Sequence, residues 1–160
     1  MPIKTLAVIG GGTMGSGIAL IAATNAISAI VVDISDSQLE GAKAYHTKQL
    51  NRAVSKERMT REEVDAAQTR LSYVGLMSEA SDADWVVEAA TENVEIKKSI
   101  FSQMSETFRD DVVLATNTSS ISITDLASSV PEAAHRVIGM HFFNPVPVMK
   151  LVEEIGRAHV

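Results

Sequence analysis

The sequence predicts an α/β fold in which a mainly parallel β-sheet is covered by helices on both faces. Short apolar runs typical of strands recur along the chain, at 5–9, 28–32, 84–88, 112–116 and 136–140. Helical patterns separate most of these runs, and the first run leads directly into a glycine-rich segment. Such alternation is typical of βαβ units, which build a parallel sheet. We therefore expect a doubly wound, Rossmann-type arrangement.

The glycine-rich segment has the G-x-G-x-x-G spacing of a dinucleotide-binding turn. Its glycines are Gly10, Gly12 and Gly15, which would respectively permit a tight turn, leave room for a pyrophosphate and allow close helix–strand packing. The helix beginning near Thr13 would direct its unpaired N–H groups and positive dipole end at the phosphates. We predict that these residues, with Met14, hold the cofactor.

An acidic residue follows the second strand at the position expected for ribose recognition. Asp33 ends the run Ile30–Val32, about 20 residues after the glycine motif. A carboxylate there accepts a ribose 2′-hydroxyl and repels a 2′-phosphate, which favours NAD over NADP. The alternative is a glycine turn in an ordinary α/β protein, with Asp33 capping the end of a strand.

Composition restricts the classes of function. The chain has 160 residues, enough for one domain with a sizeable core, and its 46% hydrophobic and 21% charged residues are ordinary for a globular protein. The absence of cysteine excludes disulfides and thiolate metal sites, and the four histidines lack metal-ligand spacing, so no metal site is predicted. A net charge of −6 argues against nucleic acid or an anionic membrane as the main partner.

No targeting or membrane-spanning segment is predicted. Residues 17–34 are rather apolar, but polar residues interrupt them where a helix should give way to a strand. The glycine cluster also comes too early in the chain to leave room for the apolar region of a signal peptide. The expected location is therefore the cytoplasm.

A helical arm is predicted after the second strand. Residues 36–56 form one long helical pattern, and a second opens with the capping-box residues Thr60 and Glu63. We interpret about 36–69 as two antiparallel helices that project from the sheet, followed by a short strand at 71–74. The sixth strand-like run, counting this one, comes shortly before the end of the sequence.

Three polar clusters follow strands, at 88–93, 116–120 and 141–147. Because ligands of open α/β sheets bind outside the carboxyl ends of the strands, we expect the clusters to converge on one side. His141 is the best candidate for acid–base chemistry, since an imidazole titrates near neutral pH. The chain around Pro145–Pro147 would turn so that Glu153 orients the imidazole, while Ser119 and Asn144 would bind a substrate oxygen. For the single residues there are alternatives, namely a structural role for His141 and a helix cap before Ile121 for Ser119 or Ser120.

These motifs closely resemble those of the L-3-hydroxyacyl-CoA dehydrogenases, particularly the bacterial 3-hydroxybutyryl-CoA dehydrogenases. The resemblance covers residues 1–153 and is most specific in the block from His141 to Glu153. It implies an NAD-binding domain, followed in the family by an all-helical domain that supplies dimer contacts and part of the substrate site. It also implies that His141 is the catalytic base and Glu153 its partner, and that Ser119 and Asn144 contact the substrate oxygen. Further cofactor contacts are implied at Asp33, Glu92, Lys97 and Asn117.

The resemblance implies that acyl-CoA is the substrate and that Lys56, Gln49 and Ser119 contact the CoA. Six of the 14 lysines and arginines lie in the arm, at Lys43, Lys48, Arg52, Lys56, Arg58 and Arg61. Lys48, Arg52 and Lys56 share one helix face, which suits the phosphates of CoA. The alternative is a solvated, salt-bridged helix face.

The final residues depart from the family pattern. The segment from Glu154 to Val160 matches the translation of a widely used sequencing adaptor, so we expect 154–160 to be an artefactual tail in which Arg157 and His159 have no role. The following helical domain would then be missing and this fragment alone would be inactive.

Three functions remain open at this point. The first is an NAD-dependent 3-hydroxyacyl-CoA dehydrogenase, acting on short acyl chains and homodimeric through its helical domain when full length. The second is a dehydrogenase of free β-hydroxy acids, against which the basic arm argues. The third is a non-catalytic NAD-binding or structural protein of crystallin type, which would not require His141, Glu153, Ser119 and Asn144 together.

Overall fold

A seven-stranded β-sheet forms the centre of the structure, a computed structural model that describes residues 2–156. In chain order the strands are β1 (Thr5–Ile9), β2 (Ser28–Val32), β3 (Leu71–Val74), β4 (Trp85–Glu88), β5 (Val113–Thr116), β6 (Val137–Phe142) and β7 (Val152–Ile155). Their spatial order is β3-β2-β1-β4-β5-β6-β7. The pairs among β1 to β6 are parallel, and β7 is antiparallel to β6. The predicted Rossmann-type fold is confirmed.

Helices connect the strands and cover both faces of the sheet. They are α1 (Thr13–Thr24), α2 (Asp36–Ser55), α3 (Arg61–Thr69), α4 (Val94–Thr107) and α5 (Ile123–Ser128), with 3₁₀ helices at Met77–Ala80 and Pro131–Arg136. After β1 the chain adds β2 and then β3 on one side of β1. It then returns to the other side of β1, where it adds β4, β5 and β6 in turn. The strand order therefore reverses beside β1 and β4, and the crevice outside their carboxyl ends is where such sheets bind ligands.

The core consists of one apolar layer on each face of the sheet. Phe101 and Met104 of α4 are fully buried in one layer, together with Leu126 of α5. In the other layer, Ile18 of α1 packs against strand residues that include Val8. Alternate residues of the central strands point to opposite layers, so both faces of these strands are apolar, as expected for a buried parallel sheet.

The helical arm packs against the sheet-covering helix α1 and does not stand free. Leu50 of α2 and Val64 of α3 are buried together with Leu20 of α1. The predicted capping box is present at the start of α3, where Thr60 accepts from the Glu63 N–H and Glu63 accepts from the Thr60 N–H. The two helices follow β2 as predicted, and their apolar stripe is buried against α1.

Residues 2–156 form seven strands, one more than the six predicted. Glu154 and Ile155, which begin the segment expected to be an artefactual tail, belong to β7 and pair with Met140 and Gly139. Arg157 and His159 lie outside the described residues. Within residues 2–156, no helix combines the length and apolar character needed to cross a membrane.

Candidate active site

The glycine turn has the steric character expected of a dinucleotide-binding loop. Gly10 has φ +109°, and a Cβ there would lie 2.7 Å from the Cα of Ala90. A Cβ on Gly15 would lie 1.9 Å from the carbonyl oxygen of Gly10. Neither position can carry a side chain without moving backbone. A Cβ on Gly12, in contrast, would meet nothing within 4 Å, so the backbone there is open to an incoming group.

The N-terminus of α1 lies beside this open backbone. Gly12 is the N-cap residue and supplies no side-chain cap, and no acidic side chain occupies the first turn of the helix. The unpaired N–H groups and positive dipole end of α1 are therefore left for an anion. The arrangement fits the pyrophosphate of a dinucleotide.

Asp33 is held at the end of β2 by the glycine turn itself. Its Oδ2 accepts from the Gly11 N–H at 2.7 Å, and its Oδ1 accepts from the Ser35 N–H at 2.9 Å. The carboxylate thus stabilises the turn, as the capping alternative requires. It is only half-buried, so the same group remains accessible beside the open backbone.

The polar clusters after β4, β5 and β6 are joined by hydrogen bonds. The Thr118 hydroxyl donates to Oε2 of Glu92 at 2.7 Å, which links the first cluster to the second. Oδ1 of Asn117 accepts from the Phe142 N–H at 2.9 Å, which links the second cluster to the third. The predicted convergence of the three clusters is therefore confirmed. Asn117 is 8% exposed, whereas Glu92 is exposed.

Lys97 is fully buried and paired with a carboxylate. Its side chain is 0% exposed, and its Nζ lies 2.5 Å from Oε2 of Glu88 and 3.2 Å from Oγ1 of Thr116. The expectation that Lys97 contacts the cofactor stays a prediction. The buried carboxylate of Glu88 holds the ammonium inside the protein, beneath the ends of β4 and β5.

His141 and Glu153 face each other across the β6–β7 pair. They are directly paired in the strand register, and His141 Nδ1 lies 2.9 Å from Oε2 of Glu153. Since a carboxylate accepts, the neutral imidazole carries its proton on Nδ1 and has a lone pair on Nε2. The His141 ring is 21% exposed, so the site is open to a substrate. The predicted turn between the two strands is present, with buried Val146 against Gly17 of α1.

Ser119 and Asn144 lie exposed in the loops that follow β5 and β6. The alternative role of Ser119 or Ser120 as a helix cap is wrong. The cap of α5 is Ser122, whose hydroxyl oxygen accepts from the Asp125 N–H at 3.2 Å. Among residues 2–156, no capping bond involves the Ser119 side chain.

The basic face of α2 is exposed along its length. Lys48, Arg52 and Lys56 are all exposed, and within the described part of the chain none forms an ion pair. The alternative interpretation, a solvated and salt-bridged helix face, is therefore wrong about the salt bridges, and the three side chains are free cations. Gln49 is half-buried, and Lys56 follows the last residue of the helix.

Sequence reasoning missed a buried histidine beside this face. His46 is 1% exposed, with Nε2 2.7 Å from the Ser16 carbonyl oxygen and Nδ1 2.6 Å from the Tyr73 hydroxyl oxygen. Burial lowers the pKa of His46, although its bond to Ser16 opposes this, and burial raises the pKa of Tyr73 to about 12. The available signal was periodicity, because His46 lies one turn from buried Ala42 and Leu50.

Comparisons with known proteins agree with this geometry. The family model described as "3-hydroxyacyl-CoA dehydrogenase, NAD binding domain" matches residues 5–160. A 3-hydroxyadipyl-CoA dehydrogenase of Escherichia coli is 43% identical over 96% of this chain and 32% of its own length. A probable 3-hydroxybutyryl-CoA dehydrogenase of Bacillus subtilis is 42% identical over 97% of this chain and 54% of its own length.

A solved structure shares the fold closely. The (S)-3-hydroxybutyryl-CoA dehydrogenase of Ralstonia eutropha superposes with a TM-score of 0.92 at 42% identity, covering 96% of this chain and 54% of that one. The chain thus spans about a third to a half of the length of such relatives. The chain belongs to the 3-hydroxyacyl-CoA dehydrogenase family of NAD-dependent oxidoreductases, and the matched region is that family's NAD-binding domain.

Proposed function

We propose that this chain forms the cofactor-binding half of an enzyme that interconverts (3S)-3-hydroxyacyl-CoA and 3-oxoacyl-CoA with NAD(H). The expected substrate is a short-chain thioester such as 3-hydroxybutyryl-CoA. The single observation that carries the proposal is the pairing of His141 with Glu153 at 2.9 Å, at the ligand-binding edge of a sheet with a dinucleotide turn.

The chemistry follows from the protonation state of this pair. In the oxidation direction, Nε2 of His141 accepts the proton of the substrate 3-hydroxyl group. NAD, when bound, supplies the acceptor for the hydride that leaves C3, so the products are the ketone, a protonated imidazole and the reduced cofactor. Glu153 keeps the imidazole in the required tautomer and stabilises its positive charge. In reduction, the imidazolium of His141 returns its proton to the developing alkoxide.

Ser119 and Asn144 complete the proposed contacts to the reacting oxygen. Both are exposed in loops at the carboxyl ends of the strands, and both carry hydrogen-bond donors. Donors aimed at the oxygen on which charge develops stabilise the transition state more than the ground state. This is the role that we assign to them.

Cofactor contacts are proposed for the glycine turn and the polar clusters. The backbone of Gly10, Gly12, Thr13, Met14 and Gly15 would hold the pyrophosphate. The ribose next to the adenine would lie against Asp33, and Glu92, Lys97 and Asn117 would lie along the nicotinamide half. The support is the open N-terminus of α1 and the accessible carboxylates of Asp33 and Glu92.

We assign recognition of CoA to the arm. The exposed cations of α2 are free to pair with phosphate groups, and Gln49 lies among them with Lys56 at the end of the helix. An acyl-CoA carries several phosphate charges, whereas a free β-hydroxy acid carries none. The basic face therefore favours the thioester.

We further propose that turnover and dimerisation require an all-helical domain beyond residue 153, as the family resemblance implies. Two observations support this. The relatives are two to three times longer than this chain. In addition, apolar side chains are exposed near β7, namely Val148, Met149, Leu151, Val152 and Ile155. Recovery of the parent gene tests the proposal, and a genomic sequence that encodes 154–160 followed by a stop would contradict it.

The experiment that tests the function has two steps. The first is titration of this chain with NADH and NADPH in parallel, followed by nicotinamide fluorescence. Saturable binding of NADH with much weaker binding of NADPH is expected. The second compares acetoacetyl-CoA with free acetoacetate as oxidant of NADH, using the full-length parent enzyme. Equal rates with the two oxidants would favour a free-acid dehydrogenase, and binding without turnover of either would favour a non-catalytic protein.

A further inference from the structure

A buried imidazole joins the helical arm to the helix that follows the glycine turn. His46 of α2 contacts the Ser16 carbonyl oxygen in α1 through Nε2 and the Tyr73 hydroxyl in β3 through Nδ1, at 2.7 and 2.6 Å. Since a carbonyl oxygen only accepts, Nε2 carries the proton and Nδ1 accepts from the phenol. One side chain therefore connects three separate elements of the fold.

Ser16 continues this connection to the glycine turn. Its hydroxyl donates to the Gly11 carbonyl oxygen at 2.9 Å. The N–H of Gly11 in turn donates to Oδ2 of Asp33 at 2.7 Å. Hydrogen bonds between residues, joined by the covalent structure of Ser16 and Gly11, therefore form a row from β3 through His46 to the carboxylate proposed to recognise the ribose.

An apolar side chain could fill the buried position that His46 occupies. The buried stripe of α2 is otherwise apolar at this level, with Ala42 and Leu50 one turn away on either side. Burying an imidazole costs free energy unless both nitrogens find partners, whereas an aliphatic side chain would fill the place without that requirement. Both partners are present and both bonds are short. The imidazole therefore fixes the relative orientation of its neighbours through hydrogen bonds, whereas an apolar side chain would only fill the space.

We propose that His46 is a positioning residue of the NAD site, which acts through Ser16 to fix the glycine turn and to couple the arm to it. His46 does not touch the cofactor. The inference rests on the NAD-binding role of the domain and adds a residue outside the turn on which that role depends. It assigns a function to a hydrogen-bonded row that the proposed chemistry does not use.

The test compares four variants of this chain. His46→Leu removes both hydrogen bonds while keeping an apolar filling, and His46→Gln keeps a side-chain amide that can donate to Ser16. Tyr73→Phe removes only the bond to Nδ1. Leu50→Ala is the matched control, because it creates a cavity one turn along the same buried stripe without touching the row.

Two quantities are measured for each folded variant. One is the dissociation constant of NADH. The other is the rate of hydrogen exchange at the Gly11 amide in the nucleotide-free protein, which reports on the turn without any ligand. Circular dichroism and thermal unfolding establish that the variants compared are folded.

The proposal expects His46→Leu to weaken NADH binding about tenfold, equivalent to about 1.4 kcal/mol, and to accelerate Gly11 exchange by a similar factor. His46→Gln should keep both the NADH affinity and the Gly11 exchange rate close to those of the unaltered chain. Tyr73→Phe should change each of these two quantities only about threefold, and Leu50→Ala should change neither of them. If His46→Leu does not fold, Tyr73→Phe and Leu50→Ala decide the role of His46. The proposal then requires that Tyr73→Phe changes NADH binding and Gly11 exchange and that Leu50→Ala does not.

Two results would overturn the positioning role. One is an effect of Leu50→Ala as large as that of His46→Leu, which would show that only the stability of the arm matters. The other is unchanged Gly11 exchange in a folded His46→Leu variant. Failure of the unaltered chain to bind NADH would count against the proposed function instead, and the exchange measurement would still decide the role of His46.

Discussion

Nδ1 of His141 lies 2.9 Å from Oε2 of Glu153, and the two residues are direct partners in the antiparallel β6–β7 pair. The distance is therefore fixed by strand register and does not depend on a flexible loop. Residues directly opposite in an antiparallel pair point to the same face of the sheet, so the pairing itself orients the imidazole. The site needs β7 as much as it needs the histidine.

Replacing His141 by Ala in the full-length parent enzyme should lower kcat by about 10²- to 10⁴-fold, the usual contribution of a general base. The dissociation constant of NADH should stay within about twofold, because the dinucleotide turn lies on other elements. Steady-state kinetics and a fluorescence titration measure the two quantities. His135→Ala, in the 3₁₀ helix Pro131–Arg136 outside the site, is the control. Loss of NADH binding in His141→Ala would assign the residue a structural role.

Asp33→Ser should reduce the preference for NADH over NADPH. The substitution removes the charge that opposes a 2′-phosphate, so the dissociation constant of NADPH should fall about tenfold. NADH binding should weaken as well, because the Gly11 N–H loses its partner. Asp36→Ser is the matched control, since Asp36 is exposed in the first turn of α2. An unchanged ratio of the two dissociation constants would refute the role of Asp33.

The buried ion pair of Lys97 with Glu88 makes a prediction about stability. Lys97→Met leaves the carboxylate of Glu88 buried without a counter-charge, which should lower the free energy of unfolding by about 3–5 kcal/mol in urea titrations. The double variant Lys97→Met/Glu88→Leu should recover much of the loss. Lys98→Met, which breaks the more exposed pair with Asp125, should cost at most about 1 kcal/mol. A double variant as unstable as the single one would show that Thr116 and packing, not the charge pair, dominate.

Local patterns predicted the parts of this protein in which a short segment determines its own structure. The glycine turn, the capping box of Thr60 and Glu63 and the strand at 71–74 are of this kind, because spacing alone sets their geometry. The His141–Glu153 contact was also predicted, since a family motif carries both residues. Strand β7 was missed because all four of its residues are exposed and it has no buried face to produce a periodic signal.

The residues whose surroundings the sequence did not predict depend on contacts between distant segments. Lysine is rarely buried, so sequence gives no reason to place Lys97 inside the protein. Its burial depends on Glu88 and Thr116, which only the completed sheet brings to the same point. The same holds for His46, whose partners come from α1 and β3. Local patterns in one sequence do not indicate which residues of distant segments will be in contact in the folded protein.

Stability should fall as the pH drops below about 6.5, in part because of His46. Burial lowers the pKa of His46 in the folded protein, so the unfolded chain binds a proton at a higher pH than the folded one does. The contribution of the neutral ring is therefore complete above the unfolded pKa and is lost as the pH falls through the folded pKa. Urea unfolding at a series of pH values, compared between the unaltered chain and His46→Gln, isolates this contribution from those of other groups. The free-energy difference between the two proteins should be constant above neutrality and shrink in acid. A difference that is independent of pH would mean that His46 binds protons equally in both states, and that its burial is offset by the bond to Ser16.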